Sequence, residues 1–268
     1  MAAGLAEPAK AAYKLPMTAP PTTATLLQQG LFHHKRAELA QAMDRYTDVL
    51  RIDPQHADAL YYIAVVACQE GQYSQGVELA KRAIANGPPQ ARVHNLLGQA
   101  YDRLEQPLEA IKQYDEALRI DPNLAEAHGN RAGIMADAGY PDEALKSYDR
   151  ALALNPNPTD WLNRGAVLHG LGRVDEAIDS FNKAIALDDK LPGPYFARAE
   201  ALRDAKRLDE ALADYEHAIK LDRNFAPLHR GRALVLEALG RADDARLSNE
   251  TAERIEKSAA APAISPNT

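Results

Sequence analysis

A small residue returns to the same place in this chain every 33 or 34 residues, and that spacing leaves few folds open. Gly30, Ala64, Gly98, Ala132, Gly165, Ala199 and Ala233 form one such series, and Ala42, Gly76, Ala110, Ala144, Ala177, Ala211 and Ala245 form a second. A third, Val49, Ala83, Ala117, Ala151, Ala184, Ala218 and Ala252, is nearly as strict. Side chains that stay small through seven copies mark points where two backbones pack closely. Bulk stands beside them at Tyr46, Tyr114, Tyr148, Phe181 and Tyr215, and lapses at Ala80 and Asn249.

The stretch from Ala125 to Pro156 shows what is being repeated. Its apolar positions fit two helical runs interrupted by Gly139 and Pro141. A proline opening the second run suits a first helical turn, and Asn155-Pro156 stops that run. Aligned on this unit, the copies begin at residues 23, 57, 91, 125, 158, 192 and 226. Trp161, just after the one-residue deletion in the fifth copy, is expected to pack on the preceding hairpin.

These residues resemble the tetratricopeptide repeat, a helix-turn-helix unit of the same period. The resemblance covers residues 23 to 256. It implies an all-α, right-handed superhelical solenoid of antiparallel helix pairs, whose first helices line a concave surface. The chain then divides into a disordered leader over 1–22, a solenoid over 23–257 whose last repeat acts as a cap, and a disordered tail over 258–268.

Charge and composition narrow the function. The 268 residues carry a formal charge of −7, which argues against a nucleic-acid partner and mildly favours cationic ones. A single cysteine, Cys68, rules out an internal disulfide and reads as a small packing residue. No signal-peptide core and no apolar run of membrane-spanning length stands out, so the expectation is a cytoplasmic, soluble monomer.

No CxxC, HExxH, glycine-rich phosphate loop or GxSxG occurs, and repeats deliver like groups in rows where catalysis needs unlike groups converging. Ser180 and Lys183 form an isolated SxxK in mid-helix. His94, His128 and His229 share one repeat position and stand at least a repeat apart, too far for a common zinc. The chain is therefore read as a non-enzyme with no cofactor and no metal. A row of arginines, Arg131, Arg164, Arg198 and Arg232, is read as snorkelling from the helix interface toward acids on neighbouring second helices, with Asp115, Asp149 and Glu216 available; a basic ladder for acidic ligands is the alternative.

Opposite the packing face, the first helices carry Tyr61 and Tyr62; Arg92, Asn95 and Gln99; Asn130; Asn163; then Phe196 and Arg203. Amide side chains offer a donor and an acceptor together, which suits the backbone of an extended peptide, and aromatic residues supply anchors. Asn130 and Asn163 also stand at the position of the asparagine ladder in the repeat arm of O-linked N-acetylglucosamine transferases, and that resemblance implies contact with a peptide backbone. No three successive repeats provide the Lys, Asn and Arg set of the two-carboxylate clamp. The function expected is a scaffold or adaptor holding a protein or peptide in the groove. A substrate-recruiting arm for a separate catalytic chain such as a glycosyltransferase, and a self-assembling structural module, are the alternatives.

Overall fold

The computed structural model describes residues 21–260, so the expected leader and tail fall outside it for 1–20 and 261–268. The chain forms two compact units, one ending at Gly87 and the other beginning at Pro88. The first holds α1 (Thr23–Lys35), α2 (Leu39–Ile52), α3 (Ala57–Gln69) and α4 (Tyr73–Asn86). The second holds α5 (Ala91–Arg103), α6 (Pro107–Ile120), α7 (Ala125–Asp137), α8 (Pro141–Leu154), α9 (Pro158–Gly170), α10 (Val174–Leu187), α11 (Pro192–Asp204), α12 (Leu208–Leu221), α13 (Ala226–Ala238) and α14 (Ala242–Ala260). No strand occurs among the described residues, and each unit is an all-α solenoid of helix pairs. The last helix runs on past Lys257 to Ala260.

Local chemistry fixes the hairpin. The turn inside each pair needs one residue in the left-handed region, filled by Gly71, Gly139, Gly172 and Gly240 at φ 72–82° and by Ala37, Glu105 and Lys206 at φ 57–63°. The bond from Tyr140 N–H back to the Met135 carbonyl, 2.8 Å, closes the helix end in the fourth repeat. Between repeats the chain turns on an aspartate. The Oδ1 atoms of Asp53, Asp121, Asp188 and Asp222 each accept the N–H two residues on, at 2.9–3.1 Å. Gly87 stands at that position after α4 and has no side chain to make the bond, and the boundary between the two units falls there.

The recurrent small residues lie where the pairs close. Ala42, Ala110, Ala144, Ala177 and Ala211 are wholly buried, as are Tyr46 and Tyr215, with Tyr114, Tyr148 and Phe181 1% exposed. Removing one such ring from water stabilises the stack by roughly 2 kcal/mol. A Cβ placed on Gly30, Gly98 or Gly165 would come within 2.3–2.6 Å of the ring of Tyr46, Tyr114 or Phe181. The sequence leaves repeat two short of bulk at Gly76 and Ala80, but the Cys68 sulfur lies over Gly76, where a Cβ would meet it at 2.3 Å. Burial pushes the Cys68 thiol up, which disfavours a reactive thiolate.

The arginine row bridges second helices across each repeat junction of the second unit. Arg131 Nε donates to Asp115 on α6 at 2.7 Å and its Nη1 to Ser147 on α8 at 2.9 Å. Arg164 repeats this with Asp149 and Ser180 at 2.7 and 2.8 Å. Arg198 donates twice to Asp214 at 2.6 Å and once to Asn182 at 2.5 Å. Arg232 is the weakest rung, with Ser248 at 3.3 Å, Glu216 at 3.7 Å and a buried Nε without a partner. Ser180 is thus committed to this ladder, and Lys183 pairs with Asp179 at 2.8 Å.

Candidate functional face

Within the second unit, each second helix packs on the first helix of the next repeat, and α5–α7, α7–α9, α9–α11 and α11–α13 also touch. Successive second helices make no comparable contact, so the first helices stand on the inner side of this unit's curvature. Side chains projecting from that side are the ones an extended ligand would meet.

One column on that face has a geometry that spacing alone does not reveal. The position shared by Asn163 and Gly231 lies against the aromatic ring of the preceding repeat, and Tyr62 holds the same repeat position in the first unit. Tyr62 stacks on Tyr46 with ring centroids 5.3 Å apart and planes 17° from parallel. A Cβ on Gly231 would lie 2.4 Å from the Tyr215 ring. Asn163 bonds the Tyr148 hydroxyl. Small and large residues at this column thus answer the ring beneath.

In the first unit, Tyr61 and Tyr62 on α3 are half-buried and meet edge to face at 4.9 Å. In the second unit, Arg92 is exposed, with its Nε donating to Gln90 at 2.8 Å. Asn95 is buried at 5% exposure and accepts from Asn130 Nδ2 at 3.3 Å, so it props Asn130 from beneath. Gln99 donates to Glu126 on α7 at 2.7 Å. Phe196 packs edge-on to Tyr215 and Phe225 at 6.2 and 5.9 Å. Arg203 holds Glu200 at 2.8 Å and Asp204 at 3.2 Å.

The structure therefore gathers Asn95, Asn130 and Gln99 along α5 and α7, sets Asn163 beside them on α9, and leaves Phe196 and Arg203 in a separate cluster on α11. Arg203 there belongs to a network with Glu200, which accepts from the Tyr215 hydroxyl, and with Asp204, which His169 reaches at 2.9 Å. Burial opposes ionisation of Asp204, and the bonds from His169 and Arg203 outweigh it to hold the carboxyl below its ordinary range.

Between α7, α8 and α9 the face dips into a pocket of ≈ 330 Å³, walled by Gly133, Ala136, Asp137, Tyr148, Asn163 and Val167. Tyr148 is pushed up to about 12, first by burial and then by the charge of Asp160. Sequence reading passed over Asp102, Asp137 and Asp160. Acidic residues near the ends of α5, α7 and α11 were the available signal for the first two; Asp160, in the first turn of α9, had none of this kind.

Trp161 sits on the cluster of Ala132, Ala144, Tyr148 and Leu152, with Lys183 4.5 Å from its ring centroid. His94 bonds Gln113 at 2.9 Å, while His128 and His229 bond the Pro122 and Arg223 carbonyls at 3.0 Å. No three metal-binding side chains converge among the described residues, and no described helix is long and apolar enough to cross a membrane.

Asp160 yields a testable pH effect. Its carboxylate lies 2.8 Å from where a Gly129 Cβ would stand, and burial raises its pKa against the lowering bond from Asn157. The folded carboxyl therefore holds its proton to higher pH than the unfolded one, so its contribution to stability falls as pH rises above the ordinary aspartate range. Asp160→Asn should melt about 2 °C higher near neutrality and level with the parent in strong acid. Calorimetry at both pH values checks this; an unchanged difference at the two would refute it.

Family profiles described as tetratricopeptide repeat match residues 26–100, 91–124 and 136–192, and one described as TPR repeat matches 199–240. No curated protein sequence matches at a significant level. Among solved structures the chain resembles Pseudomonas aeruginosa PilF, at 21% identity and TM-score 0.71 over 79% of this chain and 97% of that one. It resembles MamA from Desulfovibrio magneticus at 20% identity and TM-score 0.60, covering 64% and 97%. YrrB, described as a TPR protein with an unusual peptide-binding site, matches at 20% identity and TM-score 0.59, covering 68% and 94%. At these identities the likeness is one of fold.

Proposed function

Because the chain belongs to the tetratricopeptide repeat family, we propose that it is a non-catalytic interaction scaffold that holds a protein or peptide segment along the inner face of residues 88–260. The observation carrying this reading is that face itself. It presents the amides of Asn130 and Asn163 beside a recess between α7 and α9, with side chains that bond and pack but form no nucleophile–base pair. The ring of Phe196 adds an apolar anchor farther along. YrrB, of like fold, carries a peptide-binding site by its description, which supports the same use here.

The test is capture of partners from the native host by the parent chain and by an Asn130→Ala, Asn163→Ala double variant, quantified by mass spectrometry. Each amide also bonds a buried neighbour, Asn95 or the Tyr148 hydroxyl, so melting should fall by roughly 5 °C with the variant still folded, while recovery of the parent's partners falls at least about fivefold. Equal recovery by the two proteins would overturn the assignment of the face.

A further inference from the structure

The scaffold reading leaves the ligand's chemistry open, and the recess between α7 and α9 restricts it. None of its lining residues is cationic, and Asp137 stands exposed on its wall at the last residue of α7. A helix C-terminus carries partial negative charge, which adds to that carboxylate. Asp137 and Asp160 both act on the buried Tyr148, and Asp137 acts on Asp102 across the α5–α7 contact.

Three other acids on this face are already committed: Glu126 to Gln99, Glu200 to Arg203, and Asp204 to His169 and Arg203. Asp137 makes no such bond among the described residues. Gly133 and Ala136 leave the recess unobstructed, and Val167 offers an apolar wall to a methylene stem. At its floor and rim the Tyr148 hydroxyl oxygen and the Asn163 carbonyl oxygen are acceptors suited to a donor-rich head group.

We propose that this recess receives a lysine or arginine side chain from an extended segment of a partner protein, with Asp137 as its counter-ion. The proposal rests on the scaffold reading and deepens it by naming the residue class the recess selects. Charge complementarity of this kind sets specificity and register.

The test pans a random-sequence displayed peptide library against the full chain, then titrates one selected peptide by fluorescence anisotropy. That peptide is compared with its copy carrying norleucine in place of the basic residue, against the parent and Asp137→Asn. Selected peptides should share a lysine or arginine. Norleucine and Asp137→Asn should each weaken binding about tenfold, and together no further. Raised salt should weaken the parent pair most. Asp137 is exposed, so a circular-dichroism melt matching the parent shows that the variant is folded.

Peptides with no shared basic residue, or affinity unmoved by Asp137→Asn while Asn130→Ala weakens it, would overturn the proposal and leave the scaffold reading standing. Failure to select any peptide would count against both.

Discussion

Arg198→Leu is expected to destabilise the unit spanning 88–260 by about 3 kcal/mol and to lower its melting temperature by about 10 °C. The guanidinium holds both oxygens of Asp214 at 2.6 Å, and that carboxylate side chain is 9% exposed. Removing the arginine leaves a buried charge without its partner, and this desolvation penalty, more than the lost attraction, sets the size of the effect. Arg198 keeps 22% of its side chain in water, which places the cost at the low end for a buried pair.

The companion experiment removes both charges. Arg198→Leu with Asp214→Leu should recover most of the loss, because apolar residues serve the corresponding positions of repeat two, where Ile63 and Leu79 are both buried. Thermal and urea melts of the single and double variants decide it. If the double variant is no more stable than the single one, the stranded charge is not the cause. The same substitution at Arg232 should cost far less, since its nearest partners stand at 3.3 and 3.7 Å.

Gly165→Val should destabilise the same unit by at least about 3 kcal/mol. Its Cβ would fall 2.4 Å from the Phe181 ring, and Phe181, at 1% exposure, has no open space to swing into. Phe181→Leu in the same chain should return part of that stability by drawing the ring edge back. Gly170 is the control, because a Cβ there meets nothing within 4 Å. Gly170→Ala should be neutral or gain up to about 1 kcal/mol from helix propensity. A loss at Gly170 as large as that at Gly165 would mean that the ring does not explain the glycine.

The helix pairs were legible because their cause is periodic and local. A small residue at each close approach and, in five of the seven copies, a ring beside it recur at one interval, so the copies identify them without coordinates. The partners foreseen for Arg131, Arg164 and Arg232 were readable for the same reason, lying 15 or 16 residues back in the chain. Asp214 as the partner of Arg198 was not, because that position is serine in three neighbouring repeats: Ser147, Ser180 and Ser248.

The candidate face was less legible. Asn95 carries the same amide as Asn130 and is read as a groove residue like it, yet it stands one position earlier in its repeat and lies buried, with Asn130 bonded to it where α5 and α7 meet. Arg203 reads as a free groove cation, yet Glu200 and Asp204 already hold it.

The sequence by itself determined the repeat: its length, its two helices and the small residues that let them nest, since each depends on spacing within the repeat. Tertiary structure decided what lies between repeats. It set which ring leans on which glycine, which carboxylate is left without a cation beside an open recess, and that the run of pairs divides at Gly87. Those outcomes depend on atoms from different helices arriving at one point, and a one-dimensional period carries no record of that meeting.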